Sequence, residues 1–128
     1  MEVIEKMLSE SVSQRLAALH PDTGAELLRI NRLAREAADP ALLELCTELI
    51  DALLQDRSPA LPQALTPREK AFLAFTEQFA TSVSTLSDEQ VSELLRFASE
   101  DEVYSFVNAL YVIDMTRRLD LVAGRLLT

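Results

Sequence analysis

The only cysteine of the chain, Cys46, is the first candidate for chemistry, because a thiolate can act as a nucleophile or a redox group. It lies within LLELCTELIDALLQDRSP, residues 42–59. Apolar residues surround it at helical spacing, and four polar residues fall on the opposite face of the predicted helix: Glu44, Thr47, Glu48 and Asp51. This pattern predicts a small buried residue with a protonated thiol, since a reactive thiol needs a cationic or helix-N-terminal setting.

Histidine supplies no second reactive group. His20 is the only histidine, and it precedes Pro21 in the connection between two predicted helices. A single histidine without carboxylates at ligand spacing does not build a metal site. The chain has only two glycines, too few for a glycine-rich phosphate-binding loop. We therefore expect no metal ion and no cofactor, and we predict that His20 is a surface residue or caps the C-terminal end of a helix.

Carboxylates and arginines in the second half of the chain are the remaining candidates. Glu77 lies between two phenylalanines in AFTEQFA, and Asp114 interrupts the most hydrophobic helical segment. Arg117 and Arg118 follow Asp114 by three and four residues, so the simplest interpretation is an ion pair of Asp114 with Arg118, within the helix or between subunits. The functional alternative is that such a carboxylate lines a pocket, where burial would raise its pKa.

The amino-acid composition indicates the class of fold that must position these residues. A chain of 128 residues accommodates one domain, residues 1–128, and 48% of its residues are hydrophobic. Two glycines are too few for the turns of a β-rich protein, whereas the abundant Ala, Leu, Glu and Arg are good helix formers. We predict an all-α protein, a single-domain helical bundle of about six helices.

Helix-start signals divide the chain at regular intervals. Asp39-Pro40 and Thr66-Pro67-Arg68-Glu69 each place proline directly after an N-cap residue. Capping boxes begin at Ser87 and Ser99, and Thr23-Gly24-Ala25-Glu26 marks a further start. These signals predict helices near 2–19, 24–37, 40–55, 67–82, 88–98 and 101–126.

Two of these helices have a distinctive apolar pattern. In the fourth, Phe72, Phe75 and Phe79 recur at helical spacing and form one aromatic stripe. The sixth is apolar nearly all round from Val103 to Met115, VYSFVNALYVIDM. A helix of that kind is either central in the bundle or shared with another subunit.

Charge and hydropathy exclude several classes of partner. The net charge of -9 is unfavourable for a nucleic-acid partner, because phosphate binding needs a basic patch. No apolar run reaches the roughly 18 residues of a membrane span. The acidic N-terminal sequence MEVIEKMLSE is unlike a signal peptide. We expect a cytoplasmic protein without a nucleic-acid or membrane partner.

Several segments occur in a familiar order between residues 39 and 126. They are DPALLELCTELIDALL, a proline-containing loop, LTPREKAFLAFTEQF, LSDEQVSELL and VYSFVNALYVIDMTRRL. This order resembles the carboxymuconolactone decarboxylase and AhpD-like family. The resemblance implies an all-α AhpD-like fold that assembles as a homo-oligomer (a dimer, trimer or hexamer) through the last helix.

The redox members of that family resemble one another in a Glu followed by two cysteines and a histidine. Carried over to this chain, the Glu position is Glu44, and the two thiol positions and the imidazole position are Asp56, Pro59 and Gln63. The resemblance therefore implies a member without the CxxC motif, in which thiol peroxidase or disulfide reductase activity is not expected.

Three functions are compatible with these patterns. The first is a non-redox AhpD-like protein that serves as an oligomeric scaffold or binds a small molecule or a protein partner. The second is a carboxymuconolactone decarboxylase-like enzyme, whose acid–base or anion-binding groups in a retained pocket would come from Glu44, Glu77, Asp114, Arg117 and Arg118. The third is a helical regulatory or interaction module unrelated to that family.

Overall fold

The structure, a computed structural model, describes residues 18–126 of the chain. Most of these residues are in helices. The α-helices are α1 (Pro21–Glu36), α2 (Pro40–Leu54), α3 (Pro67–Ser82), α4 (Asp88–Leu95) and α5 (Glu100–Leu126), and a short 3-10 helix, Val83–Thr85, follows α3. No strand occurs among these residues, which confirms the all-α class. The first predicted helix, 2–19, lies almost entirely outside the described residues, so the count of six stays a prediction.

The predicted capping residues begin four of the helices. The Asp39 carboxylate accepts hydrogen bonds from the Ala41 and Leu42 amides at 3.0 and 3.4 Å and so caps α2. Reciprocal capping boxes open the next three helices, with the pairs Thr66–Glu69, Ser87–Gln90 and Ser99–Glu102. These side chains satisfy amide groups that the first turn of a helix leaves without carbonyl partners.

Two predicted boundaries were wrong by about one turn. Helix α1 begins at Pro21 rather than near residue 24, because proline fits the first helical position, where no amide hydrogen is needed. Helix α4 ends at Leu95 rather than near residue 98, because the Phe97 amide bonds the Leu94 carbonyl at 3.0 Å in a tighter turn. The chain then reaches Ser99 in position to cap α5.

Helix α2 is the most enclosed helix of the described fold. Helices α3 and α5 pack against it, and α1 contacts it as well. Buried residues occupy more than half of its circumference: Leu42, Leu43, Cys46, Leu49, Ile50, Asp51 and Ala52. Of the two positions predicted for the last helix, central in the bundle or shared with another subunit, the central one is wrong. Helix α5 buries one face and exposes the other.

Aromatic side chains join α3 to α5 within this core. The Phe72 and Phe106 rings meet edge to face with their centroids 4.7 Å apart, and Phe75 lies 6.4 Å from Phe106. Phe75 and Phe79 stack at 6.4 Å, so the predicted aromatic stripe of α3 is confirmed. Edge-to-face pairs of this kind contribute about 0.5–1.5 kcal/mol beyond the area they bury.

A residue with left-handed backbone conformation follows the end of α2. Asp56 has a φ of 53°, its amide bonds the Leu53 carbonyl at 3.4 Å, and the Arg57 amide bonds the Ala52 carbonyl at 3.0 Å. This is the Schellman pattern of helix termination, in which glycine usually takes the left-handed position. Asp56 instead bears the steric cost of a side chain there.

We predict that Asp56→Gly stabilises the protein by about 0.5–1 kcal/mol, because glycine adopts positive φ without that cost. Urea denaturation measures the free energy of unfolding. Ser58→Gly is the matched control, since Ser58 is exposed and has no positive φ, and it should be neutral or destabilising. Equal effects of the two substitutions would show that the turn carries no strain.

Candidate functional site

The thiol of Cys46 is sealed inside the core. Cys46 has no solvent-exposed surface, and its Sγ lies 4.0 Å from the Phe72 carbonyl oxygen. The Thr76 hydroxyl donates to that same carbonyl at 2.8 Å. Burial raises the pKa of the Cys46 thiol to about 11, and hydrogen bonding with Thr76 offsets only part of this. The prediction of a buried, protonated cysteine is confirmed.

The positions that correspond to the family's thiols and histidine lie in the extended segment 55–66. Asp56, Pro59 and Gln63 are exposed there. The segment is tied to α2 by Glu48, whose carboxylate pairs with both terminal nitrogens of Arg57 at 2.9 and 3.0 Å. These hydrogen bonds lower the pKa of Glu48, and the Ala60 amide adds a third bond at 3.0 Å.

His20 precedes α1 at its N-cap position and is exposed. Its side chain makes no capping hydrogen bond to the helix. The prediction of a surface histidine is therefore confirmed. The predicted C-capping role concerns the helix before His20, which lies almost entirely outside the described residues, and it stays a prediction. Within residues 18–126 no group of three His, Cys, Asp or Glu side chains is placed to hold a metal ion.

Asp114 and Arg118 form the ion pair that their spacing predicts. Arg118 Nε lies 3.1 and 3.0 Å from the two carboxylate oxygens of Asp114 within α5. Arg118 Nη2 also donates to the Ala80 carbonyl oxygen near the end of α3 at 2.8 Å. The pair thus links α5 to α3, and it lies near the protein surface, with the Arg118 side chain 49% exposed.

Arg117 takes part in a second, more buried ion pair. Its Nε lies 3.2 Å from the Asp51 carboxylate, and the side chains are only 19% and 6% exposed. Asp51 was predicted to lie on the polar face of its helix, and this prediction was wrong because α1 and α5 cover that side of α2. Arg35 of α1 adds a second guanidinium. Burial lowers the pKa of Arg35, Arg117 lowers it further, and Asp51 opposes both effects.

The structure divides the predicted site residues between exposed positions and two separate ion pairs. Glu44 and Glu77 are exposed on α2 and α3. Asp114 pairs with Arg118, while Arg117 pairs with Asp51. None of the three candidate carboxylates lines the cleft formed by the helix ends.

A cleft gathers a different set of residues between the end of α1 and the beginnings of α2, α3 and α5. Its volume is about 300 Å³, at the lower end for small-molecule sites. Leu42, Phe72, Phe106 and Ala98 form its apolar lining, and Glu36, Asp39, Arg68 and Glu102 form its polar lining.

Most polar groups of this cleft are already engaged. Arg68 Nη1 lies 3.2 Å from the Asp39 carboxylate, and its guanidinium lies 5.5 Å above the Phe72 ring. Hydrogen bonds from the Ser99 amide and hydroxyl lower the pKa of Glu102. These interactions cap helices and join their ends, so the cleft is a junction of helix termini with a small apolar opening.

A long exposed stripe runs along the outer face of α5. We define the α5 stripe as Tyr104, Asn108, Tyr111, Met115, Arg118 and Val122, all of which are exposed. Tyr104, Tyr111 and Val122 are 78%, 61% and 57% exposed. Successive members are separated by four, three, four, three and four residues, the spacing by which one helix packs along another. Within residues 18–126 no helix is both long and apolar enough to cross a membrane.

Sequence patterns could not have found the Asp51–Arg117 pair or the cleft, since each joins residues far apart in the chain. The α5 stripe did carry a sequence signal. Asn108, Arg118 and two tyrosines interrupt the apolar helix at coiled-coil spacing, and this distinguishes its outer face from its buried one.

We predict that the Cys46 thiol reacts with a disulfide reagent at neutral pH at least about a hundredfold more slowly in the folded protein than in concentrated guanidinium chloride, because the thiol is fully buried and the fold must open before the reagent can reach it. Absorbance of the released thiolate measures the rate. Cys46→Ala supplies the baseline. Equal rates in folded and unfolded protein would show that the thiol is accessible.

The same thiol makes stability depend on alkaline pH. Its pKa rises from an ordinary 9.0 to about 11 on folding, so the folded state favours the protonated form. The stabilisation is fully present below pH 9.0 and is lost as the pH rises toward 11. The free energy of unfolding of Cys46→Ala should therefore decrease less between pH 9 and pH 11 than that of the wild-type protein.

We predict that Arg117→Ala lowers the free energy of unfolding by about 3 kcal/mol, because it removes a partner from the buried Asp51 carboxylate. Arg118→Ala is the matched control and should cost no more than about 1 kcal/mol, since its ion pair is near the surface. Chemical denaturation of both variants measures the difference. A loss as small for Arg117→Ala as for the control would contradict the structural role of the buried pair.

Comparison of the chain with known protein families, with curated proteins and with solved structures finds no match. The AhpD-like assignment stays a prediction that rests on the order of the motifs in residues 39–126. The fold and the geometry described above are the grounds on which a function is proposed.

Proposed function

We propose that this chain is a non-redox helical protein of AhpD-like fold that works as a homo-oligomeric scaffold, assembling through the α5 stripe. One observation carries the proposal: the exposed tyrosines, methionine and valine of the stripe are aligned at helix-packing spacing on a helix whose other face is core. Aligned exposed apolar side chains mark interaction surfaces, whereas scattered ones do not.

The composition of the α5 stripe suits a protein interface. Tyrosine, methionine and arginine are enriched at such interfaces, and Tyr104, Tyr111, Met115 and Arg118 supply all three types. From Tyr104 to Val122 the stripe is roughly 27 Å long at 1.5 Å per residue. A single helix pair of that length buries less than the ~800 Å² per partner of a standard interface. We therefore expect an exchanging oligomer with a dissociation constant in the micromolar range.

The state of Cys46 supports the non-redox part of the proposal. A thiol that cycles through a disulfide must be accessible and readily ionised. Cys46 is fully buried, and its pKa is raised. The single thiol and the acidic composition are in keeping with a cytoplasmic location.

Ligand binding in the cleft and acid–base catalysis have weaker support. The Asp39 and Glu102 carboxylates of the cleft already accept hydrogen bonds from helix amides, and Arg68 is paired with Asp39. A carboxylate enzyme of the decarboxylase type needs two such groups to converge on one cavity. Glu44, Glu77 and Asp114 are not part of the cleft lining, and Asp114 is already paired with Arg118.

We predict that the wild-type protein scatters light at high micromolar concentration with at least twice the 14.3 kDa mass of one chain. Tyr111→Lys should raise the dissociation constant at least about tenfold, because it places a charge in the middle of the stripe. Val91→Lys is the matched control, since Val91 is exposed on α4 outside the stripe. A monomeric wild-type protein at every concentration would contradict the scaffold proposal.

A further inference from the structure

We infer that two copies of this chain pair through their α5 stripes in antiparallel orientation, with the two-fold axis near Ile113. This inference rests on the proposed self-association and adds the partner and its direction. Two features carry it: the order of residue types along the stripe and the distribution of charge along α5.

A parallel pair would place identical residues of the stripe opposite one another. Arg118 would then face the partner's Arg118, and Asn108 would face the partner's Asn108. Two guanidinium groups opposite each other in a narrow contact repel, and the pairing of each with Asp114 of its own helix weakens that repulsion without removing it. The apolar members of the stripe would gain nothing in exchange, because they would meet apolar residues in either orientation.

An antiparallel pair about Ile113 matches residues whose numbers are equally distant from 113. Tyr104 then faces the partner's Val122, and Tyr111 faces the partner's Met115. Asn108 faces the partner's Arg118, so an amide oxygen can accept a hydrogen bond from a guanidinium group. Every apolar residue of the stripe meets an apolar residue, and every polar residue meets a polar one of compatible hydrogen-bonding character.

The charges of α5 favour the same orientation. Its first turn carries Glu100, Asp101 and Glu102, and its last turn carries Arg125. In the antiparallel pair the acidic start of each helix lies beside the basic end of its partner. Asp101, which is exposed and continues the stripe by three residues, falls opposite the partner's Arg125. The macrodipoles of the two helices are also opposed, which is favourable for neighbouring helices.

Disulfide trapping with Tyr104→Cys and Val122→Cys tests the orientation. In the antiparallel pair, the two residues at position 104 are separated by roughly 27 Å along the helix, too far for a disulfide. Neither variant should therefore crosslink with itself. A mixture of the two, allowed to exchange subunits under reducing conditions and then oxidised, should form a covalent heterodimer. A size tag on one variant distinguishes this heterodimer on a non-reducing gel.

The wild-type protein is the control for the native thiol, since Cys46 is buried and should give no crosslinked species. Efficient self-crosslinking of Tyr104→Cys, or mixed and self-crosslinking at equal rates, would overturn the antiparallel pair. If light scattering still showed that the wild-type protein is oligomeric, only the antiparallel orientation would be wrong, and the proposed self-association would be supported. A monomeric wild-type protein would overturn both.

Discussion

The enclosure of α2 is the constraint on which the described structure depends. Apolar residues such as Ile50 and Ala52 point to nearly opposite sides of its axis, so one neighbouring helix cannot cover them. Helices α1, α3 and α5 must therefore surround α2. Three helices begin at one end of the bundle, at the N-cap residues Asp39, Thr66 and Ser99. The small cleft is a consequence of that convergence.

Burial around α2 also explains why two groups that look reactive are held in inactive forms. Cys46 stays a thiol because apolar neighbours disfavour its charge, and the Asp51 carboxylate is accompanied into the interior by its ion-pair partner Arg117. The same pairing fixes how α5 lies on α2, and Arg118 fixes α5 to the end of α3. Helix α5 is thereby held with one face in the core and the α5 stripe outside.

Local signals made much of the fold predictable. Proline and capping side chains such as Asp39 and Thr66 predict where helices begin. The spacing of Phe72 and Phe75 predicts which face of their helix is buried. The site was less predictable because its interactions join distant residues. Asp51 follows the pattern of an exposed position until α1 and α5 cover it. Asp114 paired with Arg118 as predicted because that interaction lies within one helix turn.

The left-handed turn at Asp56 has an electrostatic consequence for the segment that follows it. It ends α2, so positions 56 and 59 follow the carboxyl end of a helix, where the macrodipole presents negative charge. Cysteines introduced at these two positions would have thiolates that are disfavoured rather than stabilised by the preceding helix. Thiol redox chemistry at these two positions would thus require the backbone to be redirected as well as two cysteines to be introduced. The turn therefore makes the carboxyl end of α2 a poor place for a reactive thiol.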